Sequence, residues 1–305
     1  MTATLAELLQ SVEVTPPRQA GTLQVFGLHW PNPSRLAYRT LDEGLTSGDL
    51  ALSEQTELGQ VQTIRVVNRA PDQALLLAGE QLVGAKQDRV LNVSVLVAGQ
   101  TTLAVPVSCV EAGRWHYRSA AFASAGTLAH GALRRLICRH TGESYRAGET
   151  PASRQTEVWH EVAGKLSTLG TVSATGALQQ AYVDYRGRLA ADRLPAPEGA
   201  SGAAFSRGGR LLGVDLFDQP ATLKQLWSKL VQSYTLDALG HADAPAPLMS
   251  PAWVRRWLRG ASRERAEAFA SVGLGQDVRL WGEHLVGAAL VLEERLIYLE
   301  LFEAI

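Results

Sequence analysis

Six short runs rich in Val, Ile, Leu and Thr dominate the first third of this 305-residue chain, at residues 23–28, 63–67, 74–78, 82–85, 89–97 and 102–107. Gly, Asn, Pro and Asp punctuate them, as in NRAPD at 68–72 and AGQ at 98–100. β-Branched and aliphatic side chains suit a pleated, half-buried surface, so each run reads as a strand. Strands at this spacing predict an antiparallel sandwich or a barrel-like body.

From about residue 127 the period becomes helical. Leu128, Leu133, Leu136 and Ile137 fall on one stripe, Val158, Val162 and Leu166 on a second, and a third helix is expected over residues 175–189. A Pro-rich loop at 194–202 leads to two apolar runs around Gly208-Gly209, a hairpin signal. Pro220 opens an amphipathic helix carrying Leu223, Leu226, Trp227 and Leu230. The stretch HADAPAPLMSP (241–251) reads as a linker, Ser250-Pro251 as the start of a further helix, and the Arg-rich residues 255–269 as a solvated helix face. The C-terminal VRLWGEHLVGAALVLEERLIYLELF reads as three strands. The expected class is therefore α+β, with a β-rich first half (1–126) and a mixed helix and hairpin second half (127–305), either as two domains or packed as one body.

One heptapeptide occurs almost twice, as GEQLVGA at 79–85 and GEHLVGA at 282–288. Glycine supplies the positive φ of tight turns, so the shared letters predict two similar hairpins rather than two catalytic glutamates. KQDRVLN follows the first copy and ALVLEER the second, so chemistry is sought after the first copy.

A net charge of −1 gives no global field to hold nucleic acid or a membrane surface, and neither is expected as a partner. The start MTATLAELLQ has no basic leader pattern and no apolar run reaches membrane-spanning length, so a cytoplasmic protein is expected. Two cysteines outside any CxxC pair, scattered histidines without HxH or HExxH, and the lack of GxSxG, GxxxxGK[ST] and GxGxxG leave no signature for a metal, a cofactor or the common hydrolase and nucleotide folds.

Two polar clusters remain. In GEQLVGAKQDRVLN, if Leu82 to Arg89 runs on as one strand, alternation sets Lys86 and Asp88 on one face and Gln87 and Arg89 on the other. An amide beside a guanidinium fork suits a phosphate, carboxylate or ribose, although a solvated strand edge explains the same letters. In VPVSCVEAGRWHYRS, Cys109 is either an activated thiol or a small core residue, Glu111 (like Glu80) is a candidate acid or base, and Trp115 either stacks on a planar ligand or closes a core. The expected ligand pocket collects Glu80, Lys86, Gln87, Arg89, Glu111, Arg114 and Trp115. The catalytic candidates are Cys109, Glu80 and Glu111.

These two motifs, with GGRLLGVDLFDQPATLKQLWSKLVQSYTLDAL and GEHLVGAALVLEERLIYLELF further on, resemble the bacterial domain family associated with ADP-ribosylglycohydrolases and rhodanese-phosphatase superfamily proteins. The resemblance runs from about residue 23 to the end. Its polar motifs match Gly79, Glu80, Lys86, Gln87, Arg89, Asn92, Cys109, Glu111, Gly113, Arg114 and Trp115. It implies a setting of ADP-ribose- or NAD-related or other phosphorylated metabolites, with a nucleotide or ADP-ribose-like small molecule as partner. It carries no catalytic assignment. A structural or protein-interaction domain without catalytic activity is the alternative.

Overall fold

The computed structural model describes residues 3–30, 36–56, 62–189, 193–239 and 247–304. The chain forms two compact units: Met1–Arg35, Leu189–Ala270 and Gly275–Ile305 make one, and Leu36–Arg188 with Ser271–Leu274 the other. The expected boundary at residues 126 and 127 falls inside a strand of the second unit.

The first unit opens with α1 (Ala3–Ser11), β1 (Glu13–Val14), β2 (Arg18–Ala20) and β3 (Leu23–His29). The second unit then follows as β4 (Tyr38–Thr40), α2 (Leu41–Ser47), β5 (Leu50–Glu54), β6 (Thr63–Asn68), β7 (Gln73–Leu76), β8 (Glu80–Gly84), β9 (Arg89–Leu91), β10 (Val95–Val97), β11 (Thr101–Cys109), β12 (Phe122–Leu128), α3 (Gly131–Arg146), α4 (Gln155–Leu169) and α5 (Gln179–Asp184). The chain returns to the first unit as β13 (Gly202–Arg207), β14 (Arg210–Phe217), α6 (Pro220–Ala238), α7 (Pro251–Ala261), β15 (Arg265–Ala270), β16 (Gln276–Trp281), β17 (Leu285–Leu292) and β18 (Arg295–Glu303). The fold is α+β.

In the first unit nine antiparallel strands form one sheet, with β3 beside β13 and β14 beside β18. Strand alternation gives it two buried faces. Ala204 and Val214 join a core with Leu5 and Leu9 of α1 and Val254 and Leu258 of α7. Phe205 points the other way and stacks on Tyr234 of α6 at 4.0 Å. A Cβ at Gly213 would run into the Tyr234 hydroxyl, so this glycine lets α6 sit close to the sheet. The helix starts follow local chemistry: Pro220 begins α6, and Ser250 caps α7 by accepting the Trp253 N–H ahead of Pro251.

In the second unit six strands, ordered β11-β6-β5-β12-β8-β9, close into a barrel, while β10, β7 and β4 form a small separate sheet. The barrel is the β-rich body expected from the short runs, although the first run, β3, joins the other unit. Thr40 and Glu43 form a capping box on α2, which Gly48 ends in the left-handed region at φ 77°.

Several local expectations are corrected. The run at residues 89–97 breaks at Asn92 to Ser94 and contributes to two sheets. The third helix shortens to α5 followed by a single 3-10 turn at Arg186–Arg188. Residues 255–269 are not one helix. α7 ends at Ala261, and Arg265–Ala270 pairs along β16 as an exposed edge strand whose charges discourage further pairing. The linker expected at 241–251 has residues 241–246 outside the described residues.

The two heptapeptides also differ. The second is a hairpin between β16 and β17, with Glu283 88% exposed. The first is a corner between sheets, because β7 pairs with β4 and β10 and β8 pairs with β9 and β12. There the Leu77 N–H donates to Glu80 Oε2 at 2.9 Å and the Glu80 N–H to the Leu77 carbonyl at 3.1 Å. Glu80 is buried and closes the corner.

Candidate functional site

Between β8 and β9 the chain reverses through residues 85–88. Gly84 at φ 111° and Ala85 at φ 41° make the reversal, and a Cβ on Gly84 would collide with the Ser119 hydroxyl. Asp88 closes the turn by accepting the Gly84 N–H on Oδ1 at 3.1 Å. The separate runs at 82–85 and 89–97 thus fall on β8 and on β9, with a turn between them, and the alternation that would hold if Leu82 to Arg89 were one strand does not apply.

The segment after β11 is stitched onto this turn. The Val110 N–H donates to the Asp88 carbonyl at 3.0 Å and the Asp88 N–H to Glu111 Oε2 at 3.0 Å. Arg114 grips Glu111 through Nε and Nη2 and places the same Nη2 3.0 Å from Asp88 Oδ1. Its Nη1 donates to the carbonyls of Ala85 at 2.7 Å and His116 at 3.0 Å. On the far side, Thr175 donates to Glu111 Oε1 at 2.7 Å and the Gly113 N–H to the Thr175 carbonyl at 2.8 Å.

The outcome is a cleft of about 410 Å³ lined by Asp88, Glu111, Arg118, Ser124, Thr175 and Gln179 among others. Its two carboxyls are driven in opposite directions. Burial pushes Asp88 above the usual aspartate range, the Glu111 charge adds to this, and the Gly84 N–H, Arg114 and Arg118 offset only part. Burial also opposes the Glu111 charge, but hydrogen bonds from Arg114, Thr175 and the Asp88 amide outweigh it and hold Glu111 below the usual range. Both Glu111 oxygens are saturated. Asp88 Oδ1 is held by Gly84 and Arg114, whereas Oδ2 makes no hydrogen bond among the described residues. Carboxyls whose environments push their proton affinities apart are the usual raw material of acid–base chemistry.

The seven residues expected to share one pocket are divided. Glu111 lines the cleft and Arg114 braces it from behind. Arg89 places Nη1 on the Cys109 sulfur and Nη2 3.5 Å from Glu54, and its guanidinium carbon lies 5.6 Å from the Trp115 ring, so Lys86, Arg89 and Trp115 form a group of their own. Lys86 is half-buried, with its Nζ 5.5 Å from the Trp115 ring and 5.0 Å from the Tyr117 ring, both rings being about half exposed. Gln87 is buried in the turn, and Glu80 is committed to its corner. Cys109 is fully buried, and burial pushes its thiol up to about 11 despite the pull of Arg89. Burial and a raised thiol pKa are the opposite of the exposed, lowered-pKa setting that activates a cysteine.

Asp88, Arg118, Thr175 and Gln179 are the site residues that sequence reasoning did not select. For Asp88 a signal was present: a glycine four residues ahead of an aspartate is ordinary turn chemistry. Thr175 and Gln179 arrive from about 90 residues downstream with no local mark. A second cleft of about 620 Å³ passes over Ser108, Ser153 and Gln155, but its buried groups are engaged: Ser108 donates to Asn92, and Gln155 holds both the N–H and the carbonyl of Cys109.

The family model described as the ARG and Rhodanese-Phosphatase-superfamily-associated Protein domain, ARPP-1, matches residues 11–302. The chain belongs to the ARPP-1 family. That name records an association with two superfamilies. No curated protein and no solved structure matched the chain. In this ARPP-1 domain the two motif-bearing segments, 79–92 and 105–119, are the ones that the Asp88–Glu111–Arg114 network ties together. Among the described residues no helix is long and apolar enough to cross a membrane.

Proposed function

We propose that the second unit binds a phosphorylated, hydroxyl-rich metabolite of the ADP-ribose or NAD-related kind in the cleft beside Asp88, and that Asp88 exchanges a proton with it. The observation that carries this reading is the contrast between two adjacent carboxyls that line the cleft: both Glu111 oxygens accept hydrogen bonds, while Asp88 Oδ2 makes none among the described residues and burial raises the Asp88 proton affinity. Glu111 and Arg114 are positioning residues that fix the Asp88 turn. Thr175, Gln179 and Ser124 supply the hydroxyl and amide groups that recognise a polyol. The family's named association with the ARG superfamily supports the ADP-ribose setting.

A thermal-shift titration with NAD, ADP-ribose, ribose 5-phosphate and inorganic phosphate tests it. At least one should raise Tm in a dose-dependent way, and Ala125→Trp, which fills the cleft from its rim, should abolish the rise without lowering the unliganded Tm. No rise with any ligand, or an undiminished rise in the variant, rejects the reading. The half-exposed Trp115 and Tyr117 favour a second reading, a protein-interaction surface, which predicts that Trp115→Ala weakens partner capture while the cleft variant leaves it intact.

A further inference from the structure

One arginine, Arg118, lines the cleft and another, Arg114, braces it from behind, and they are not equivalent. The Arg114 fork is fully spent on Glu111, Asp88 and three carbonyls. Arg118 is exposed and its guanidinium makes no hydrogen bond or ion pair among the described residues, yet it lines the cleft and lies near enough to Asp88 to act on its charge. Its backbone is not loose. The Arg118 N–H donates to the Ala85 carbonyl at 2.8 Å, and the neighbouring Ser119 hydroxyl accepts the Ala85 N–H at 3.0 Å and donates to the Ala121 carbonyl at 2.7 Å. A free cationic fork is therefore mounted on the same turn that Asp88 closes.

Two hydroxyls lie along the same wall. Ser124 accepts the Gly126 N–H at 3.1 Å and Ser173 accepts the Ala177 N–H at 2.9 Å, so each keeps its own O–H for a ligand. Five guanidinium N–H groups and two hydroxyls form a donor set for a tetrahedral oxyanion.

We propose that Arg118, with Ser124 and Ser173, forms an oxyanion subsite for the phosphate ester of the bound metabolite, and that filling it raises the proton occupancy of Asp88. This rests on the cleft being the ligand site. The coupling follows from charge. An anion on Arg118 offsets the positive charge that Arg118 exerts on Asp88 and adds a negative one. The other charged groups that act on Asp88 are Glu111 and Arg114, which pair with each other; of its chain neighbours, Arg89 pairs with Glu54 and Lys86 lies over the Trp115 and Tyr117 rings. The 173–177 loop and β12 bring no charge to the cleft. α5 brings Gln179 and Gln180, with Asp184 tied to Gln180. Glu111, saturated with donors, stays ionised, so the proton goes to Asp88. The ligand thus loads the acid that is to act on it.

Calorimetric titration of the full chain with sodium sulfate, whose charge is constant between pH 4.5 and 7, in buffers of different ionisation enthalpy, tests both parts. Sulfate should bind with net proton uptake and more tightly as pH falls. Arg118→Ala should weaken it at least about tenfold, the size of one strong charge-assisted contact, and Asp88→Asn should retain binding while losing proton uptake and pH dependence. Ribose 5-phosphate should bind more tightly than sulfate. Absence of sulfate binding, binding unchanged by Arg118→Ala, or uptake unchanged by Asp88→Asn overturns the inference, as does ribose 5-phosphate binding no better than sulfate. Failure of the underlying cleft reading looks different: sulfate binds as described, but no metabolite shift is blocked by Ala125→Trp.

Discussion

The Asp88 amide donates to Glu111 Oε2 at 3.0 Å, so the backbone of the residue placed to carry a proton is fixed by the side chain of the one that cannot. Glu111 and Arg114 are 5% and 6% exposed, and removing one partner leaves a buried charge uncompensated. Glu111→Ala should destabilise the second unit by about 3–5 kcal/mol in urea denaturation, the range for breaking a buried pair. A loss under about 1 kcal/mol, the range of exposed pairs, would mean that Glu111 does not organise the turn.

Asp88 and Glu111 contribute to the pH dependence of stability with opposite signs. Glu111 is held low when folded, so its contribution is present above its ordinary range, near 4.5, and is lost as pH falls through the lowered value. Asp88 is held high when folded, so its contribution is complete below its ordinary range, near 3.8, and is lost as pH rises through the raised value. Asp88→Asn should therefore be at least as stable as the parent at pH 7, with the advantage vanishing in acid. A clear destabilisation at pH 7 would show Asp88 to be structural.

Cys109 and Cys138 are both buried, and the Cys109 thiol sits at about 11. A thiol reagent at pH 8 should label neither cysteine in the native protein and both after unfolding. Rapid native labelling at Cys109 would support the thiolate reading.

The twin heptapeptides should respond unequally. Glu80→Ala removes the acceptor of the buried Leu77 N–H and should cost about 1–3 kcal/mol. Glu283→Ala alters an exposed hairpin residue and should change stability by less than about 0.5 kcal/mol.

The short apolar runs revealed the strands and helix stripes because burial imposes its period locally. Strand pairing is not local: β3 pairs with β13 some 180 residues later, and the letters at 23–28 do not say which sheet they join. The same limit hid the corner at Glu80, where identical letters serve a hairpin in one place and a sheet-to-sheet step in another. Glu111 and Arg114 were legible as a polar cluster within one stretch. Asp88 was visible but assigned by strand alternation, which fails once Gly84 and Ala85 adopt positive φ. Thr175 and Gln179 were illegible because only folding brings them to the cleft.

The most direct measurement is an NMR titration of the Asp88 side-chain carboxyl in the parent protein and in Arg118→Ala. The midpoint should lie above the ordinary value of 3.8 and rise further when the Arg118 charge is removed. A midpoint at or below 3.8, unmoved by Arg118→Ala, would contradict the assignment of Asp88 as the proton-carrying group of the cleft.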